Sequence, residues 1–118
     1  MALKLSVKNV NGVTVVYCSG RIVFGEEAAE LRERVKEMLS TIRQIVLNLG
    51  GVSYIDSGGL GTLVGLYTSA RSQGADVKLA NLTQRVRDQL QITKLVTVFE
   101  VFDSEEKAVS SFSARATA

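Results

Sequence analysis

Asp56-Ser57-Gly58-Gly59-Leu60-Gly61 is the segment whose residue types could do chemistry. An acid and a hydroxyl stand side by side where the β-branched apolar run from Val46 ends and a helix pattern opens on glycines. The order predicts Ser57 as the helix N-cap, its oxygen accepting a hydrogen bond from an orphan N–H of the first turn. A helix N-terminus also favours negative charge, through those amides and the macrodipole. Three chemistries are open there. Ser57 is phosphorylated, adding about −1.5 to −2 charge beside Asp56 at a position the dipole already favours, so that a docking partner is blocked. A nucleotide phosphate sits on the glycines. Or Ser57 is only a cap and the glycines serve only tight packing.

The glycines narrow the choice. Gly58, Gly59, Gly61 and Gly65 together give up roughly 3–4 kcal/mol of helix preference relative to Ala, a violation expected mainly where function requires it. At about 100° per residue, Leu60, Leu63, Val64, Tyr67 and Ala70 fall on the side that should face a core. Gly58, Gly61, Thr62, Gly65, Ser69 and Ser72 gather on the other, within roughly a 100° arc. That outer face lacks the long charged side chains of an ordinary solvated helix, so another backbone can approach it closely. With Ser57 at its mouth, it reads as a docking face.

Enzymatic readings fail on particular residues. The chain has no histidine, which excludes a Ser-His-Asp triad, a His-ligated zinc and a His general base. The G-x-S-x-G elbow fails because Ile55 holds the first glycine's position. The dinucleotide fingerprint fails on its G-x-G-x-x-x-G spacing and because Asp76 begins the next strand instead of ending it; no Gly-Lys-Ser/Thr follows for a P-loop. The expectation is a protein that is not an enzyme, with no cofactor and no metal.

The 118 residues suit one α/β domain over 1–112, able to bury roughly two-thirds of its unfolded surface, with a disordered tail over 113–118. The net charge of +2 is interspersed, with Glu30 and Arg34 at helical i,i+4 spacing, and no basic stripe argues for nucleic acid. Cys18 reads as a buried free thiol. Lys4 and Lys8 leave no signal-peptide h-region, and no apolar stretch approaches a membrane span. A cytoplasmic protein that binds neither nucleic acid nor membrane follows.

The positioning elements are legible in turn. Leu3, Leu5 and Val7 alternate with polar residues, and Asn11-Gly12 makes a type I′ hairpin turn into a strand over 13–18. A loop over 19–25 leads to an amphipathic helix carrying Ala28, Leu31, Val35, Met38, Leu39 and Ile42. A central strand over 44–49 follows, with Asn48 its polar exception, then the glycine-rich helix ending at Gly74. A strand over 76–82, a short helix capped by Thr83, a strand over 98–102 and a helix opened by Ser104 complete the order. A mixed β-sheet with helices mainly on one face results.

Strand, Asp56-Ser57-Gly58-Gly59-Leu60-Gly61, helix, strand and Leu82-Thr83-Gln84-Arg85-Val86 closely resemble the STAS domain family of anti-sigma factor antagonists, over essentially 3–112. The resemblance implies a non-enzymatic regulator that binds an anti-sigma factor with serine kinase activity. The kinase phosphorylates the serine matching Ser57 and so releases the antagonist; a PP2C-type phosphatase reverses the mark. Unphosphorylated antagonist sequesters the kinase and frees a sigma factor for transcription. The implied partner surface takes Asp56, Ser57, Gly58, Gly59, Gly61, Thr62 and Gly65, with Arg21, Val23 and Phe24 of the 19–25 loop as its second edge beside the Ser57 end. Two departures stand out. Many members have Ser or Ala at the position of Gly58, and many carry an acidic G-E-L-D-like loop where this chain has Gly20-Arg21-Ile22-Val23-Phe24-Gly25. Ile22, Val23 and Phe24 are exposed contacts or core anchors. The alternative function is an interaction or nucleotide-binding module of the same fold without a role in sigma regulation.

Overall fold

The computed structural model describes residues 3–117, with side chains through Ser113. Strands β1 (Leu3–Val10) and β2 (Val13–Ile22) pair antiparallel through Asn11-Gly12. Both turn residues have positive φ, 51° and 84°, as a type I′ hairpin requires. Strands β3 (Gln44–Ile55), β4 (Asp76–Ala80) and β5 (Val101–Phe102) add in parallel, giving a sheet ordered β1-β2-β3-β4-β5. Helices α1 (Glu26–Leu39), α2 (Ser57–Ser72) and α3 (Gln84–Ile92) cover one face of this mixed sheet, packing Leu31, Val35, Leu63, Leu66, Val86 and Leu90 onto Ile45, Leu47 and Leu49. Helix α4 (Glu105–Thr117) covers the other, setting Ala108, Val109 and Phe112 on Val13, Val15 and Val46.

Two strands run further than their apolar runs suggest, and this positions the site. β2 continues through the expected loop to Ile22, and β3 continues past Leu49 to Ile55. They stay paired through register shifts at Tyr17/Ser19 and Gly20/Arg21, ending with Ile22 opposite Ile55. Both end residues are fully buried. The β2–α1 and β3–α2 connections therefore leave the sheet side by side.

Other elements end differently from the sequence reading. β4 stops at Ala80 because Asn81 turns left-handed, φ 57°. β5 begins only at Val101; Phe99 instead turns into the core, edge-on to Tyr67 at 5.6 Å. α4 continues through 113–117, where a disordered tail was expected; Ala and Arg are good helix formers and no Gly or Pro interrupts. Ala118 lies outside the described residues. Glu30 and Arg34 form no ion pair among the described residues, despite their spacing.

The α4 face carries one fully buried charge and several half-buried polar side chains. Lys78 is fully buried, with Nζ donating to Ser111 Oγ at 2.7 Å, 3.4 Å from Glu100 Oε1 and 4.1 Å over the Phe112 ring. Asn48 Nδ2 donates to Glu105 Oε1 at 3.1 Å, and the Tyr17 hydroxyl donates to Glu105 Oε2 at 2.9 Å. Sheet and helix thus hold each other's polar groups, as burial demands. Cys18 is buried as expected, and burial pushes its thiol up to about 12, leaving it protonated and inert.

Candidate partner-docking site

Asp56, not Ser57, caps α2. Its backbone is extended, φ −95° and ψ −177°, while Ser57 already occupies the first helical position. Both residue types cap well; the carboxylate wins because it has two oxygens to place. Asp56 Oδ1 accepts from the Gly59 N–H at 2.8 Å, and both oxygens accept from the Phe24 N–H, at 3.1 and 3.0 Å. One side chain thereby closes the helix start and ties it to the β2–α1 connection. The amides of Gly59 and then Phe24 hold this carboxyl below the usual range.

The lowered value fixes a pH dependence. A carboxyl whose folded pKa lies below its unfolded value of about 3.9 contributes stability above that pH and loses it as pH falls through the folded value. Asp56→Ala should cost about 1–2 kcal/mol at neutral pH. In melts followed downward from pH 5, the wild-type advantage over Asp56→Ala should shrink below about pH 4. An advantage that persists unchanged to the lowest pH would separate stability from this carboxylate.

With the cap role taken by Asp56, Ser57 stands exposed at the helix mouth, and its hydroxyl makes no hydrogen bond to a described residue. The Ile22-Val23-Phe24 run splits three ways. Ile22 is a core anchor, Val23 is half-buried with its carbonyl accepting from Ala28 N–H at 3.1 Å, and Phe24 is 82% exposed. Phe24 lies against Gly58, where a Cβ would come within 2.7 Å of its own. Phe24→Ser should therefore leave the melting temperature within a few degrees, since it buries little. A fall of 10 °C or more would make Phe24 a core residue.

The helix glycines divide by what surrounds them. A Cβ on Gly59 would lie 2.0 Å from the Ile22 carbonyl oxygen, so the β2–β3 end packs directly on α2 there. Around Gly61 and Gly65 nothing lies within 4 Å of such a Cβ. Both open onto a groove of about 610 Å³ between α1 and α2. Phe24, Gly58, Gly61, Thr62 and Gly65 line it, as does Ser69 of the same small-residue face. Arg21 is exposed on β2, opposite Tyr54, and neither it nor Val23 lines the groove. The opposite wall was not anticipated: Ala29, Arg32 and Lys36 of α1. Their 3- and 4-residue spacing was the available signal. On the inner side the buried row includes Leu66, whereas Val64 and Tyr67 are only half-buried. Among the described residues no cluster of three or more His, Cys, Asp or Glu could hold a metal ion, and no helix is long and apolar enough to cross a membrane.

A five-stranded mixed sheet, an Asp-capped glycine helix at the end of its longest strand and a serine at the helix mouth define a class. The chain belongs to the STAS domain family, whose model matches residues 4–108. Within it, the chain groups with the anti-sigma factor antagonists. The anti-sigma-B factor antagonist of Bacillus subtilis is 33% identical over 82 residues, covering 70% of this chain and 75% of that protein. An anti-sigma factor antagonist from Mycobacterium paratuberculosis superposes with a TM-score of 0.80 at 20% identity, over 93% of each chain. The phosphorylated form of the Bacillus cell fate determinant SpoIIAA superposes with a TM-score of 0.70 at 18% identity, over 94% of this chain and 99% of that one.

Proposed function

We propose that this antagonist binds an anti-sigma factor with serine kinase activity through the mouth of α2 and the adjoining groove, and that phosphorylation of Ser57 ends the binding. The observation that carries the reading is Ser57 itself: exposed, at the first position of α2 and not consumed as the cap. A phosphate there gains from the helix N-terminus, so the fold tolerates it. It also adds charge beside the Asp56 carboxylate, on a surface that must lose water when a partner docks. That SpoIIAA, of the same fold, is known in a phosphorylated form supports the same direction.

On this reading the unphosphorylated protein sequesters the kinase and frees a sigma factor, a PP2C-type phosphatase resets it, and the cycle runs in the cytoplasm. Incubating the protein with ATP and each purified serine-kinase anti-sigma factor of its source genome tests the proposal. One kinase should place a single phosphate, mapped to Ser57 by peptide mass spectrometry, and none on Ser57→Ala. Phosphate on another residue, or on none, defeats the reading.

A further inference from the structure

We infer that the groove between α1 and α2 receives an acidic segment of the anti-sigma factor, held by Arg32 and Lys36; this rests on the proposed partner and goes beyond it. Arg32 and Lys36 are exposed and stand one helical turn apart on the α1 wall. Neither makes an ion pair with a described residue, and no carboxylate lines the groove among the described residues. Glu30, Glu33 and Glu37 of α1 border a separate hollow together with Arg34, and Lys36 edges both. Arg32 and Lys36 are thus the cations that α1 turns toward α2, whereas Arg34 lies among the acids.

The facing wall fits such an occupant. Gly61 and Gly65 leave open space where side chains would stand, so a partner backbone can come within reach of both cations. The exposed Phe24 ring at one end supplies apolar area for the same segment. Carboxylates suit an Arg–Lys pair through short, charge-assisted hydrogen bonds, whereas a basic partner surface is repelled.

The test is calorimetric titration of the anti-sigma factor that phosphorylates Ser57 against wild type, the double variant Arg32→Glu/Lys36→Glu, and Ser57→Asp, at low and high salt. Both substituted side chains are exposed, and melting curves verify that the double variant is folded. Charge reversal should weaken binding about tenfold or more and flatten its salt dependence; Arg32→Gln/Lys36→Gln should fall between. If the reversed protein binds within about twofold of wild type with the same salt dependence, the acidic-segment inference is overturned while the switch stands. If the reversed protein binds weakly but Ser57→Asp binds like wild type, the inference stands and the switch falls. If no serine-kinase anti-sigma factor binds the wild type, both fall.

Discussion

Gly59→Ala should destabilise the protein by about 3 kcal/mol or more, whereas the same methyl at Gly61 or Gly65 should stabilise it. The three glycines share one helix and differ only in what their missing side chains would meet. At Gly59 the new carbon would lie 2.0 Å from the Ile22 carbonyl oxygen and 2.9 Å from Ile55 Cγ2. The carbonyl belongs to a strand end that is itself buried and paired, so relief requires separating α2 from the β2–β3 end. The Asp56 N–H also donates to that Ile22 carbonyl, at 3.3 Å, so the separation would disturb the capping segment too. A melting temperature lower by on the order of 10 °C is expected. At Gly61 and Gly65 the methyl enters open space, and each change should gain about 0.5–1 kcal/mol from reduced backbone entropy. Thermal melts of the three variants decide the matter, and a shared sign would contradict this account of α2 packing. Gly61 and Gly65 are then glycines the fold does not require, the kind of local cost expected at a binding surface.

Ser57→Asp should lower partner affinity at least tenfold, about 1.4 kcal/mol, while leaving the fold intact. A carboxylate at the first position of α2 gains about 0.3–1 kcal/mol from the helix terminus, offset by its neighbour Asp56. Ser57→Ala removes no cap, because Asp56 holds that role, so its stability should stay within about 0.5 kcal/mol of wild type. It should bind like wild type and resist phosphorylation. Stability and binding are thereby uncoupled at this position: all three proteins melt together and only the charged one fails to dock. Equal affinity of the three would leave Ser57 without a regulatory role.

What the sequence made legible was mostly local. The Asn11-Gly12 turn, the buried run 45–47, the Thr83 cap and the buried rows of α1 and α2 each rest on residues close together in the chain. Thr83 does accept from the Val86 N–H, at 3.3 Å. What stayed hidden depends on partners distant in sequence. Asp56 and Ser57 are equally good caps in isolation; the amide of Phe24, 32 residues earlier, decides between them. The extra lengths of β2 and β3 come from pairing across register shifts, which no apolar alternation announces. Lys78 interrupts a buried strand, and only the arrival of Ser111, Glu100 and the Phe112 ring makes its burial tolerable. At the site, the α2 wall was readable from small residues at helical spacing. The α1 wall was not, because Arg32 and Lys36 look like an ordinary solvated face until α2 is seen opposite them.

The most direct measurement is calorimetric titration of the partner kinase, in the absence of ATP, with two preparations of this protein: unphosphorylated, and stoichiometrically phosphorylated at Ser57. The unphosphorylated form should bind and the phosphorylated form should bind at least tenfold more weakly, with superimposable melting curves. Equal binding of the two forms would contradict the claim that a phosphate at the mouth of α2 is the switch.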